Sequence, residues 1–285
     1  MLMRSKDPAS WFGVEHVFNV YRGCEHSCIY CDSRSECYDI DDFSDVQVKV
    51  NAPEMLRDEL CRKRRRAVLG TGSMSDPYGP VEKEVRVTRR CLEAVAEIGF
   101  GIHISTKSDL VCRDKDLLQS IKRFSASVAF TVTTCDDGLA AKIEPGAPPP
   151  SRRLAALSEL AGTGVHTGVL LMPVLPHITD APEHLDAVVN RAAGCGAEFV
   201  VAWLAVTLRD RQREHFLTQV EHLFPGTRRQ YESEFGLLYS CDVPGAEALI
   251  SRLGEECEKR GLAFGMKAAS ARVRPRSLLQ VPLFQ

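Results

Sequence analysis

The sequence has no apolar run long enough to span a membrane, and its opening residues, 1–7, lack the apolar core of a secretion signal. Both features predict a cytoplasmic chain with no membrane partner. Charge of one sign is also missing: 36 Lys and Arg against 38 Asp and Glu give a formal net charge of −2. There is thus no global basic field of the kind that attracts nucleic acid, which leaves any such binding to a local patch. Low-complexity segments and internal repeats are absent too, which excludes a repeat architecture. Cysteine is plentiful by contrast. The 11 cysteines are odd in number and scattered outside one group, which fits free thiols in a reducing compartment better than a disulfide scaffold. Cys37, Cys61, Cys91, Cys112, Cys195, Cys241 and Cys257 read mostly as small packing residues. With 285 residues and 44% hydrophobic content, the chain can bury a large core, as two average domains or one α/β barrel-like domain.

The exception to the scatter is Cys24-Glu25-His26-Ser27-Cys28-Ile29-Tyr30-Cys31. Iron–sulfur clusters are held by cysteine thiolates, usually four. Three on one loop hold three corners of a cube and leave one iron open, and an open metal position is where chemistry occurs, as at catalytic zinc. A zinc site with His26 or Cys37 as fourth ligand is the alternative, although structural zinc usually takes its ligands in paired spacings.

Around this loop the chain alternates between β-branched runs and amphipathic helices. Strands are expected at 17–21, 67–71, 101–106, 128–134, 165–172 and 198–205, and a long polar loop at 32–50. A helix capped by Asn51 turns Met55, Leu56 and Leu60 inward and ends in the basic run Arg62-Lys63-Arg64-Arg65-Arg66. That run is either a solvated helix end or a phosphate-contact patch. Val87, Cys91, Leu92, Val95 and Ile98 share one helix face that stops at Gly99. Ser151 is expected to cap the next helix after the proline-rich stretch 144–150. Two more helices are expected near 228–235 and 244–260, then an irregular tail. Six strand–helix units in strict alternation predict a parallel sheet that right-handed crossovers curl into a barrel or a large part of one. Residues 1–225 would form this domain, and 226–285 a helical extension packed on it. Functional groups gather at the carboxyl ends of such strands. There lie the cysteine loop, Ser73 to Asp76, Lys107-Ser108, Thr133 to Cys135, and Met172-Pro173.

With these pieces assembled, the chain resembles the radical SAM superfamily, and within it the spore photoproduct lyase-like proteins. The resemblance rests on Tyr21-Arg22-Gly23-Cys24 through Cys31, Ser75-Asp76-Pro77-Tyr78 with Glu82, and Thr106-Lys107-Ser108 with Arg113-Asp114. It extends to Glu144-Pro145-Gly146-Ala147-Pro148 with Arg153-Leu154, to Met172-Pro173-Val174-Leu175-Pro176, and to the ending Leu279-Gln280-Val281-Pro282-Leu283-Phe284. It implies an α/β fold, a partial (β/α)6 TIM barrel with a C-terminal helical extension. It also implies a [4Fe-4S] cluster on Cys24, Cys28 and Cys31 that binds S-adenosylmethionine and receives an electron from a reduced flavodoxin or ferredoxin. Cleavage of the sulfonium would give a 5′-deoxyadenosyl radical that abstracts hydrogen from the substrate.

The resemblance places Ser75 and Lys107 at the methionine part of the cofactor, with Thr131 and Thr133 in the same pocket. Tyr30 would pack near the cofactor, Asp76 and Glu82 would organise the loop or bind polar cofactor groups, and Met172 with Pro173 would form an adenine wall. Read alone, Lys107 is as readily a solvated charge, Asp76 before Pro77 a turn residue, and Glu144 with Arg153 a structural pair. The true lyase repairs a thymine dimer in DNA with a cysteine as hydrogen donor. The matching position here is Ser73, and the lyase tyrosine after the third cluster cysteine is Asp32. Both changes argue against the lyase's radical-return path; Cys135 is a candidate thiol donor from another direction. Three functions stand open: a radical SAM enzyme with an unassigned substrate, nucleic acid among the choices; a DNA-repair lyase; and a non-catalytic iron–sulfur or zinc sensor.

Overall fold

A computed structural model describes residues 1–40, 42–43, 45–72, 74–271 and 273. Ser73 and the ending 279–284 lie outside these residues. Eight strands form one sheet, in the order Met3–Arg4, Val14–Phe18, Val68–Thr71, Gly101–Thr106, Ala126–Thr131, His166–Leu171, Phe199–Ala202 and Ala263–Phe264. The central six run parallel. Met3–Arg4 adds an antiparallel edge and Ala263–Phe264 a parallel one. The crossovers carry the helices Ala52–Cys61, Val87–Ile98, Lys115–Ile121, Pro150–Ala161 and Pro182–Gly194. This is the expected partial barrel of parallel strands with helices outside.

Ala126–Thr131 and His166–Leu171 are buried along their whole length, as parallel strands covered on both faces must be. Side chains fill the inside of the barrel: Phe12, Val14, Val68, Leu170, Phe199 and Val201 pack with Ala269 and Val273 from the C-terminal segment. Glycine makes room for them. A Cβ on Gly168 would stand 2.5 Å from the Phe199 ring and from its carbonyl oxygen. A separate apolar cluster joins Cys28, Ile29 and Tyr30 to Phe216 and Leu217 of the helix Asp210–Leu223 and to Tyr231 of the helix Thr227–Phe235. The chain beyond the sixth barrel strand therefore seats on the outer side of the cysteine loop.

Several local expectations are corrected. The first strand ends at Phe18, where its partner strand also stops; Tyr21–Arg22 instead pairs antiparallel with Gln47–Val48. The stretch 32–50 is not a bare loop but holds the 3-10 turns Asp32–Arg34 and Glu36–Tyr38. Met55 is exposed, because Leu56 and Leu60, four apart, define the buried face of Ala52–Cys61. Ser151 lies inside the helix that Pro150 starts, and its N–H and O–H donate to Asp137 at the head of the unforeseen helix Asp137–Ile143. The strand expected at 198–205 breaks after Ala202, and Ala205–Thr207 pairs with Ser240–Asp242. The tail is not irregular throughout, since it supplies Ala263–Phe264 and the helix Met266–Ser270. Arg62 to Arg66 precede the amino end of the second barrel strand, the end opposite the cysteine loop. There Arg66 lies over the Phe100 ring at 5.0 Å and Lys63 meets His16 at 2.8 Å.

Gly168→Ala should overpack the barrel and cost about 1–3 kcal/mol. Urea denaturation would show this as a lower midpoint with an unchanged slope; an unaltered midpoint would mean that Phe199 has room to move.

Candidate active site

The cysteine loop begins at Gly23, whose φ is +86° and where a Cβ would stand 3.0 Å from the carbonyl oxygens of Phe43 and Asp45, a conformation and a spacing that favour glycine. Cys24 N–H then donates to Phe43 O at 2.9 Å. Two backbone hydrogen bonds fasten the middle of the loop to the proline-rich segment: Ile29 N–H to Ile143 O and Gly146 N–H to His26 O, both 3.0 Å. A Cβ on Gly146 would fall 2.0 Å from Glu25 O, so this approach needs glycine.

Glu144 fixes the same contact through its side chain. Its buried carboxylate accepts from the Tyr30 O–H, faces Thr133 Oγ1 at 3.4 Å and pairs with Arg153 Nη2 at 2.6 Å. Arg153 is itself fully buried and donates to Pro148 O at 2.7 Å and Thr131 O at 3.0 Å. Burial alone would raise the Glu144 pKa, but Arg153 and Lys107 outweigh it and hold the carboxyl below its usual 4.5. Burial likewise pushes Tyr30 well above a normal phenol. The expected Glu144–Arg153 pair is therefore real, and it is a buried fastening between loop and barrel.

A second carboxylate, Glu82, is also fully buried. It accepts from the Tyr21 O–H, from Thr88 N–H at 2.9 Å and from Arg113 Nη2 at 2.5 Å. Asp114 joins this network through Arg113, Arg89 and Tyr78. Glu82, Arg113 and Asp114 thus brace the entry to the cysteine loop and the loop after the second strand.

Asp76 organises the mouth. It accepts from Tyr78 N–H at 2.9 Å, Thr106 Oγ1 at 2.6 Å and Lys107 N–H at 2.7 Å, and its Oδ2 lies 3.4 Å from His26 Nδ1. Lys107 is held above its usual pKa: burial acts to lower it, but the charges of Cys28 and Glu144 win. Its Nζ stands 5.6 Å from the Tyr30 ring centre. The Ser75 hydroxyl donates to Tyr21 O at 2.9 Å, which leaves its oxygen as an acceptor.

These groups surround one cavity of about 550 Å³. Cys24, Cys28, Cys31, Ser75, Asp76, Lys107, Thr131 and Met172 all line it. Tyr30 and Thr133 do not; both turn to Glu144 behind the wall. Cys135 does not line it either. The fourth strand ends at Thr131 rather than 134, so the chain carries Cys135 past the mouth, where Arg191 Nη1 donates to its carbonyl at 3.1 Å. The sequence reading missed Asn19 and Thr71 and weighed His26 only as a fourth zinc ligand. All three line the cavity, and His26 Nε2 and Thr71 Oγ1 are buried without a hydrogen-bond partner. The available signal was position: Asn19 and Thr71 close the first two strands, and His26 sits between two cysteines.

The residues fit an iron–sulfur cluster with a polar, partly apolar ligand beside it. Three thiols share one wall, a charged ammonium faces them, and two orphaned polar atoms await a partner. Burial pushes the Cys24 thiol up to about 11, helped by Asp76, and raises Cys28 as well, so a bound cation is what would draw them into the thiolate form. Among the described residues, no group of three His, Cys, Asp or Glu is arranged to hold a single metal ion.

This chain belongs to the radical SAM superfamily, whose profile matches residues 18–188, more than half its length. It is an enzyme of that class. It is 33% identical over 224 residues to an uncharacterized protein of Mycobacterium tuberculosis (strain ATCC 25618 / H37Rv), covering 76% of this chain and 66% of that one. The chain thus spans just under two thirds of this relative's length. A radical SAM Nalpha-GlyT isomerase of Pseudomonas phage M6 is 28% identical over 181 residues, 62% of this chain and 36% of that protein. Among solved structures, spore photoproduct lyase complexed with dinucleoside spore photoproduct superposes with a TM-score of 0.68 over 93% of this chain and 78% of that chain. At 16% identity this is a likeness of fold.

Because the folded-state pKa of Glu144 is depressed, its pairing stabilises the protein above the usual carboxyl value and is lost as pH falls through the depressed one. Denaturation midpoints between neutral pH and pH ~3 should therefore fall less steeply in Glu144→Gln than in the parent. Arg153→Met leaves a buried charge unpaired and should cost about 3–5 kcal/mol at neutral pH; a loss below ~1 kcal/mol would mean that Glu144 is solvated.

Proposed function

We propose that the cavity seats a [4Fe-4S] cluster on Cys24, Cys28 and Cys31 with S-adenosylmethionine beside it, and that the enzyme abstracts hydrogen from a substrate bound against the remaining wall. The observation that carries this reading is the convergence of three cysteines, Ser75 and the half-buried Lys107 on one cavity. When bound, cluster and cofactor supply one-electron cleavage of the sulfonium C–S bond and so a hydrogen-abstracting radical.

The chain's own residues bind, orient and shield. Lys107, charged at neutral pH, pairs with the cofactor carboxylate. Ser75 already donates to Tyr21 O, so its oxygen accepts from the cofactor's amino group rather than meeting the carboxylate. Asp76 acts indirectly by aiming Lys107 and His26. Met172 and Leu170 supply apolar wall for the adenine. Thr131 lies on the same side, and Tyr30 and Thr133 support the site through Glu144. A reduced one-electron carrier is the implied partner. The substrate is unassigned; Arg62 to Arg66 lie at the far end of the barrel and lend nucleic acid no support. Among the described residues nothing in the site favours the lyase reaction specifically: Asp32 is paired with Arg209 at 2.5 Å. Among the described residues no helix is long and apolar enough to cross a membrane.

Anaerobic reconstitution with iron and sulfide, then dithionite and S-adenosylmethionine, should yield 5′-deoxyadenosine. Cys28→Ala should yield none, and product from that variant would remove the cluster assignment. Lys107→Met should weaken cofactor binding by about 1.5–3 kcal/mol, roughly tenfold to a hundredfold in Kd by equilibrium dialysis. An unchanged Kd would place the carboxylate elsewhere.

A further inference from the structure

Arg34 closes the 3-10 turn Asp32–Arg34 that follows the last cysteine of the loop. Both of its backbone groups are fixed: its N–H donates to Cys31 O at 3.2 Å, and its carbonyl accepts from Arg211 Nε at 2.9 Å. Its guanidinium lies over the Phe43 ring, 4.6 Å from the ring centre. Phe43 in turn lines the cavity with Cys24, Cys28 and Cys31, and its carbonyl holds the Cys24 N–H. Arg34 does not itself line the cavity. A half-buried cation therefore stands behind the wall that carries the thiols.

The other arginines around the loop have their charge matched, Arg209 by Asp32 and Arg153 by Glu144. Arg34 makes no ion pair among the described residues, and its Nε is buried without a hydrogen-bond partner. Burial lowers its pKa, and the charges that oppose this most are those of Cys31, Cys28 and Cys24, ahead of Asp42. His215 adds no second cation here, since burial and then Arg34 hold it below its usual 6.5. Lys107 also faces the thiols, but in the proposed site the cofactor carboxylate takes its charge. An unmatched cation in such a place is costly unless an anionic group meets it. A [4Fe-4S] core on three thiolates is such a group, and its potential responds to the charge around it.

We infer that Arg34 sets the reduction potential of the cluster, stabilising the reduced and more negative form from behind the cavity wall. This rests on the proposed cluster and adds which residue governs how readily it takes its electron. In that step one electron passes from an outside reductant to the cluster, whose net charge falls by one; no covalent bond forms or breaks. Because Arg34 stands outside the cavity, it acts on reduction without touching S-adenosylmethionine.

The test is a potentiometric titration of reconstituted full-length protein with dithionite and mediators, followed by EPR, on samples of equal iron and sulfide content. In Arg34→Met the ratio of reduced to oxidised cluster at a fixed potential should fall about tenfold, a midpoint lower by ~59 mV for one electron. Arg34→Lys, which keeps the charge, should recover part of that shift. The Kd for S-adenosylmethionine by equilibrium dialysis should match the parent in both. Equal midpoints in parent and Arg34→Met would overturn the inference. So would an Arg34→Lys midpoint as low as that of Arg34→Met, since packing on Phe43 rather than charge would then set the value. A tenfold weaker Kd in Arg34→Met would overturn it too, by placing Arg34 at the cofactor. Arg34→Gln is a second neutral variant with the same expected fall. If neither neutral variant loads iron, Arg34 holds the loop together and the inference fails. A parent without any cluster signal would instead remove the reading of the site on which it rests.

Discussion

A buried carboxylate with all its charge accounted for holds this site together. Glu144 sits where water cannot reach it, and an ionised group there is tolerated only when paired and hydrogen-bonded. Its partners come from three places: Tyr30 in the cysteine loop, Thr133 beyond the fourth strand, and Arg153 in the following helix. Arg153 in turn grips Thr131 O at the strand end. The cysteine loop is therefore positioned by the barrel itself. Glu82 does the same service on the other side through Tyr21, Thr88 and Arg113. Gly146 and Gly23 complete the clamp at points where the backbones come close enough to favour glycine.

With the loops fixed by acids that face inward, the cavity can hold groups that are not satisfied by the protein. His26 Nε2 and Thr71 Oγ1 are buried without partners, and Ser75 keeps an acceptor free. Polar atoms left open in this way carry a cost unless a ligand meets them. Glu144, Glu82 and Asp76, which hold the loops in place, are each engaged by several partners, whereas His26 Nε2 and Thr71 Oγ1 at the cavity are open. The loop has two sides as well. Its thiols face the cavity, while Ile29, Tyr30 and Asp32 face the segment after the sixth strand and the surface beyond it.

Much of this was legible in the sequence. The period of the β-branched runs and the helix faces located six strands and their order, because parallel strands buried on both faces must be apolar throughout. The cysteine spacing identified the site, and Ser75, Asp76, Lys107, Thr131 and Met172 do reach one cavity with the thiols. Strand ends were less legible. Whether a strand stops at Phe18 or runs to Tyr21 depends on where its neighbour stops, which local pattern does not contain. Cys135 was misplaced for that reason. The direction of side chains was illegible too: Tyr30 lies between two cysteines yet points at Glu144, and His26, seen only as a spare zinc ligand, lines the cavity beside Asp76. Long-range pairing settles both, since Glu144 lies far from Tyr30 in sequence.

The most direct test of the central claim is the EPR spectrum of the anaerobically reconstituted, reduced protein with and without S-adenosylmethionine. A cluster held by three cysteines with one open iron predicts a low-temperature [4Fe-4S] signal whose g-values shift when the cofactor is added. A signal indifferent to the cofactor, or no cluster signal at all, would contradict it.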